Sequence, residues 1–359
     1  MDVAIVGKSF SGKTTVFRAL TAGHGQPDQT RGEHIGAVKI PDERLQRLAE
    51  LLKPRKVTPV EVLLHDLPAL FQRGAAASRE ASESLARSDA LIHVVRAFER
   101  DDVPHPDGSV DPARDIADLD SELMLSDLAT IERRLERLDT QVRSARPGER
   151  EAGEKEQALL RRCRQLLEAG KPLRSELTDA GDLRAAANFG FLSLKPMLLL
   201  LNIGEQDAPR GAQIAGEQRR RYQSPRTAAE AMCARLEAEL AELDEEDAGA
   251  FRSELGVEEA AAQRVLTRVI ELLGLLTFFT VNEREARAWT LPRGATALQA
   301  AGRVHTDMER GFIRAEVISW QKLLERGSQA EARKHGELRT EGKGYVVQDG
   351  DVVNILFNV

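Results

Sequence analysis

The stretch GKSFSGKTT, Gly7 to Thr15, has the residue types and spacing of a phosphate cradle, G-x-x-x-x-G-K-[ST]. Gly7 and Gly12 let the chain turn tightly, so that the backbone N–H groups across Lys8, Ser9, Phe10 and Ser11 converge on a β-phosphate. Lys13 neutralises β/γ charge and the Thr14 hydroxyl is a ligand for Mg2+. Thr15 falls in the first turn of a helix whose N-terminal dipole favours an anion. A cradle of this kind needs an acidic partner at the end of a neighbouring strand, and LLHDLPAL supplies Asp66, which can hold Mg2+ through water. In nucleotide switch proteins that strand ends D-x-x-G. Here Ala69 takes the glycine position, keeping the amide but losing the backbone freedom. The base is expected at the end of PMLLLLNI, where Asn202, Ile203, Gly204 and Glu205 stand in place of the guanine-selecting N-K-x-D. The lysine is missing and the aspartate is a longer glutamate. An Asn amide suits adenine N6 and N7 with one acceptor and one donor, so these residue types favour ATP over GTP. The competing structural readings are a strand-end turn at Asp66 and a strand cap at Asn202.

Strands and helices must hold these residues together. DVAIVG (2–7), VEVLLHDL (60–67), ALIHVVRAF (90–98) and PMLLLLNI (196–203) are short runs, apolar throughout, which suits parallel strands covered on both faces. Lys13 to Thr21 reads as a helix. The expected fold is a doubly wound α/β P-loop NTPase domain with an insertion. In the insertion Leu128, Ile131, Leu135, Leu138 and Val142 form one heptad seam, RPGE (146–149) supplies a turn, and Leu159, Cys163 and Leu166 form a second seam. Two such helices make an antiparallel hairpin, either a structural insertion or an arm for a partner. Cys163 on the seam reads as a packed residue. Near the end, FIRAEVISW (312–320) and YVVQDGDVVNILFNV (345–359) carry β-branched alternation and a DGD turn. The expected division is 1–118 with 183–275 for the nucleotide domain, 119–182 for the hairpin and 276–359 for a small β-rich domain.

Composition sets outer bounds. The chain has 359 residues, 42% of them apolar and only 4% aromatic, so a core of Leu, Val, Ile and Ala is expected. A net charge of −7 argues against a generally basic nucleic-acid coat, and DNA is not an expected partner. Two cysteines without a CxxC argue against a disulfide scaffold or a zinc site. The N-terminus lacks the pattern of a signal peptide, and the longest apolar run is too short to span a bilayer. A soluble, cytoplasmic, monomeric protein without a membrane partner is the expectation.

These motifs, with FFTVNEREARAWTLPRGATALQAAGRVHTDMERGFIRAEVISW and LRTEGKGYVVQDGDVVNILFNV near the C-terminus, make the chain similar to the YchF/Obg-like ATPase family. The resemblance runs through nearly the whole chain. It implies a C-terminal TGS-type (β-grasp) domain and an adenine-selecting N-x-x-E at Asn202 and Glu205. It also implies a switch threonine at Thr30, ahead of Gly36, that joins Thr14 and Asp66 around the metal. A third base-side motif falls at Cys233, Ala234 and Arg235, a hydrophobic residue at Leu70 replaces a catalytic glutamine, and a histidine proposed to act in hydrolysis matches His105. An imidazole there suits orienting or deprotonating an attacking water. An exposed loop histidine is the alternative. Departures cluster near the γ-phosphate. Phe10 replaces an asparagine that helps hold a monovalent cation, Gln29 replaces a cysteine, and TRGEH replaces T-x-E-P-N. The resulting expectation is a slow, Mg2+-dependent ATPase acting as a conformational switch, with Lys13 and His105 as catalytic residues and the ribosome as partner. A non-hydrolysing ATP-binding adaptor and a GTPase are the alternatives.

Overall fold

The structure is a computed structural model that describes residues 1–22, 26–28, 33–68, 79–144, 146–257 and 260–358. The chain divides into two compact units, Met1–Val38 with Leu63–Leu272, and Lys39–Val62 with Leu273–Val359.

The first unit is built on strands β1 (Asp2–Val6), β2 (Gln26–Asp28), β3 (Glu33–Ile40), β5 (Val60–Asp66), β6 (Ala90–Ala97), β7 (Met197–Ile203) and β8 (Thr227–Met232). Among the described residues they form one sheet in the order β2-β3-β5-β1-β6-β7-β8. β1 pairs in parallel with both β5 and β6, and β6-β7-β8 continue in parallel. The chain goes from β1 to one side and then to the other, so the carboxyl ends around β1 form a switch point, where such sheets bind ligands. β7 is buried at every residue and β6 at all but the last, as their apolar runs require. β5 differs from the expected two-sided burial. Glu61 and Leu63 on one face are exposed, because polar Glu61 and His65 alternate with Val60, Val62 and Leu64 and leave only one apolar face.

Helix α1 (Lys13–Thr21) follows β1, and α3 (Arg79–Arg87) leads into β6. The hairpin is α4 (Pro112–Ser144) and α5 (Pro147–Glu168). Pro147 opens α5, where a missing N–H costs nothing. The first half of α4 packs Ile116, Leu119 and Leu123 on the sheet core. Further along, Ile131, Leu135 and Leu138 meet Leu160, Cys163 and Leu167. The second seam is thus turned from its expected line: Leu160 and Leu167 are buried, while Leu159 and Leu166 flank them. Spacings of three and four satisfy either line, and the facing helix chooses between them.

The second unit holds β4 (Lys56–Thr58), β9 (Leu275–Val281), β10 (Glu285–Pro292), β11 (Phe312–Ser319), β12 (Arg339–Glu341) and β13 (Asp351–Phe357), in the order β12-β11-β13-β9-β10-β4. The sequence division placed 39–62 in the nucleotide domain, whereas the contacts group this segment with the C-terminal strands. Helix α2 (Glu43–Leu52) buries Leu45 and Leu48, and β4 pairs with β10 through Lys56↔Glu285. Arg44 lies over the Phe279 ring at 5.3 Å and bonds Asp349 at 2.7 Å. These contacts join residues far apart in the chain, so no local pattern announces them. Among the described residues, no helix is long and apolar enough to cross a membrane.

Candidate nucleotide-binding site

β1 ends at Val6 and α1 begins at Lys13, so Gly7–Gly12 is the whole connection. Both framing glycines are required by close approach. A Cβ on Gly7 would lie 2.4 Å from the Val94 carbonyl oxygen, and one on Gly12 would lie 2.2 Å from Asn202 Nδ2. Both also have positive φ, 149° and 93°. Phe10 takes a left-handed φ of 61° and is 58% exposed, so it is a strained turn residue and not part of the core. Val16 N–H closes the first turn of α1 on Gly12 O at 2.9 Å, which leaves the amides of Lys13, Thr14 and Thr15 without intrahelical acceptors.

Lys13 Nζ donates to the carbonyls of Gly7 (3.1 Å) and Lys8 (3.0 Å). Burial pulls its pKa below the ordinary lysine value, and the nearby Asp66 partly offsets this. Thr14 Oγ1 donates to Asp66 Oδ2 at 2.9 Å, and His34 Nδ1 meets the same oxygen at 3.2 Å. Asp66 is 4% exposed, so α1, β3 and β5 hold this carboxylate between a hydroxyl and an imidazole. Hydroxyl and carboxylate oxygens are the hard donors that Mg2+ prefers, so Thr14 and Asp66 fit that ion.

Asn202 stands at the end of β7, at the edge of the site. Its Nδ2 donates to Ser11 O at 2.9 Å and its Oδ1 accepts from Ala234 N–H at 3.1 Å, with the side chain buried. The amide therefore ties the phosphate turn to the start of the helix Ala234–Leu240, and Asn202 also lines the cavity beside that turn. This cavity of about 480 Å³ is lined among others by Gly12, Asn202, Phe98, Arg100, Glu205 and Arg235. Ile203 and Cys233 also line it, and burial pushes the Cys233 thiol pKa up. The volume lies in the range of small-ligand sites.

In the loop after β6, His105 was named from the sequence but the residues nearest the strand were missed, although their place at a strand's carboxyl end was a signal. The loop brings Phe98, Glu99 and Arg100 to the cavity. Buried Arg96 fixes it by donating to the carbonyls of Phe98 (3.2 Å), Val103 (2.9 Å) and Pro104 (3.3 Å) while stacking on the Phe98 ring at 4.7 Å. His34 was likewise noted only as a departure. Of the other expected residues, Lys8 turns its side chain to Asp107, Asp115 and Asp118 and away from the phosphate turn. His105 belongs to the same cluster, 5% exposed at its side chain and bonded to Asp115. Thr30, Gln29, Ala69 and Leu70 lie outside the described residues.

A phosphate cradle with a cavity adjoining it, on the carboxyl edge of a parallel sheet, is the layout of the P-loop nucleotide-binding proteins. Relatives narrow this class. The protein named Ribosome-binding ATPase YchF from Escherichia coli O157:H7 is 38% identical over 362 residues, 99% of this chain and 98% of its own length. The Bacillus subtilis (strain 168) protein of the same name is 35% identical over 368 residues, 100% of each. Residues 275–358 match the family YchF-GTPase_C, described as a protein of unknown function (DUF933). The solved Schizosaccharomyces pombe YchF GTPase has a TM-score of 0.83 at 28% identity, covering 99% of this chain and 97% of that one. The chain belongs to the YchF family.

Proposed function

We propose that this chain is a Mg2+-dependent ATPase that works as a nucleotide-controlled conformational switch on the ribosome, in the cytoplasm. The observation that carries the reading is the Thr14–Asp66 couple beside half-buried Lys13, with the cavity at Glu205 next to it. Its relatives named Ribosome-binding ATPase YchF support both the nucleotide and the partner. The amides at the start of α1 hold phosphate oxygens. Lys13 leaves the carbonyls of Gly7 and Lys8 for the β/γ oxygens, where its charge offsets what develops on the leaving phosphate. Thr14 and Asp66, with Thr30, hold Mg2+, which neutralises phosphate charge when bound. Asn202 supports the site by holding Ser11 and Ala234 together. The Glu205 carboxylate accepts from the adenine N6 amine, while guanine would place its O6 acceptor there. His105 orients or deprotonates the attacking water.

Single-turnover phosphate release from ATP, with and without ribosomes, tests the reading. Release above a Lys13→Ala control is expected, and none above it would leave an ATP-binding adaptor. Because a solved relative is titled a GTPase, labelled ATP and GTP are titrated side by side. Tighter GTP binding would overturn the role given to Glu205.

A further inference from the structure

Lys8 is the second residue of the phosphate turn, yet its ammonium serves none of the turn's own groups. It lies at 2.6 Å from Asp107 Oδ2, 2.9 Å from Asp115 Oδ1 and 2.5 Å from Asp118 Oδ2. These three carboxylates offer oxygens close enough together to suggest a metal site, but the lysine ammonium fills their centre. Burial opposes the Lys8 charge. The hydrogen bonds to Asp107, Asp118 and Asp115 outweigh it and hold the ammonium pKa above its ordinary value. Asp115 is buried too, and its bonds from Lys8 and Arg114 more than reverse that effect, so it stays an anion.

The other oxygen of Asp115 faces His105 Nε2 at 3.2 Å. On the far side of the ring, Asp107 N–H donates to His105 Nδ1 at 3.1 Å. An N–H donor at Nδ1 leaves that nitrogen without a proton and places the ring proton on Nε2, pointed at Asp115. Carboxylate, Nε2–H, and an acceptor nitrogen on the opposite side make an oriented acid–base pair. What occupies the acceptor nitrogen here is a local bond from two residues along the same loop.

We propose that Lys8 and Asp115 are positioning residues for His105. Lys8 anchors Asp115 from within the phosphate turn, and Asp115 fixes the imidazole as the Nε2–H tautomer with Nδ1 as its accepting atom. The phosphate turn and the loop that carries His105 are then one unit: Lys8 ties Asp107 of the loop and Asp115 and Asp118 of α4 to the turn that wraps the β-phosphate. A shift of that turn on nucleotide binding is delivered directly to the histidine. This assignment rests on the reading that His105 acts in hydrolysis.

The test uses the full chain and the variants Lys8→Met, Lys8→Arg, Asp115→Asn and His105→Gln. Two-dimensional 1H–15N spectra of the histidine ring report the tautomer, and single-turnover phosphate release and fluorescent-ATP titration report chemistry and binding. The wild type is expected to show a single Nε2–H signature for His105. In Lys8→Met that signature averages toward a mixture, the hydrolysis step slows by about tenfold or more, and the ATP dissociation constant changes less than about threefold, the scale of a lost orienting contact. Lys8→Arg restores much of the rate because it still bridges carboxylates, and Asp115→Asn keeps an acceptor for Nε2–H but loses the anion. An unchanged ring signature in Lys8→Met would overturn the proposal, and so would a loss of rate matched by an equal loss of ATP binding. If His105→Gln keeps the wild-type rate, the catalytic reading of His105 fails. The spectra still decide separately whether Lys8 positions the ring.

Discussion

Acidification should destabilise the nucleotide domain through one residue, His93. It sits in the middle of β6 in register with Val6 and Leu199, 1% exposed, and neither ring nitrogen has a partner among the described residues. Burial, followed by the nearby Arg174 charge, lowers its pKa from 6.5 to about 3. In the unfolded chain the ring takes up a proton below its ordinary pKa, while in the folded chain it refuses one until about pH 3. The unfolded state thus binds more protons throughout that window, and stability falls as pH is lowered through it. At about 1.4 kcal/mol per tenfold change in proton affinity, the full window is worth ~5 kcal/mol, of which ~2 kcal/mol falls between pH 7 and pH 5. His93→Leu, of similar volume, removes the titration and two unpaired polar atoms. Urea unfolding of wild type and variant at pH 7 and pH 5 measures the difference. Both tryptophans, Trp289 and Trp320, lie in the other unit, so far-UV circular dichroism or hydrogen exchange at β6 is the proper signal and tryptophan emission is not. Asp127, which burial pushes up to about 6, titrates in the opposite sense. The comparison is therefore between the two proteins at each pH, and not between pH values alone. Wild type is expected to lose ~2 kcal/mol more than the variant on going to pH 5. Equal losses would refute the reasoning and mean that His93 gains a proton at little cost.

Two further substitutions probe the phosphate turn. Asn202→Ala frees Ser11 O and strands the buried Ala234 N–H, an expected cost of ~1–3 kcal/mol in denaturant unfolding with a matching loss in fluorescent-ATP affinity; wild-type stability would show that neither bond matters. Phe10→Asn places a residue that tolerates the left-handed region at φ 61°, with an expected gain of ~0.5–1 kcal/mol in thermal unfolding, and phosphate release with and without potassium shows whether turnover rises with it.

The sequence by itself determined the parts whose chemistry is local. Gly7, Gly12, Lys13 and Thr14 meet in one turn because a phosphate cradle is a few consecutive residues between a strand and a helix. The apolar runs of β1, β6 and β7 announce buried parallel strands, and Asp66 is placed by falling at the end of the neighbouring strand β5. Spacing could not decide what each side chain would find opposite it. Asn202 was legible as a site residue, but its amide is taken by Ser11 and Ala234, a contact across 191 residues on one side. Lys8 reads as an ordinary turn residue until α4 brings Asp115 and Asp118 to it. The segment 39–62 reads as part of the nucleotide domain until β4 finds β10. The hairpin seam settles on Leu160 and Leu167 only when the facing helix is present. In each case the deciding energy comes from a partner distant in the chain: a buried donor must find an acceptor and an apolar face must find a cover. Only the tertiary structure supplies those partners.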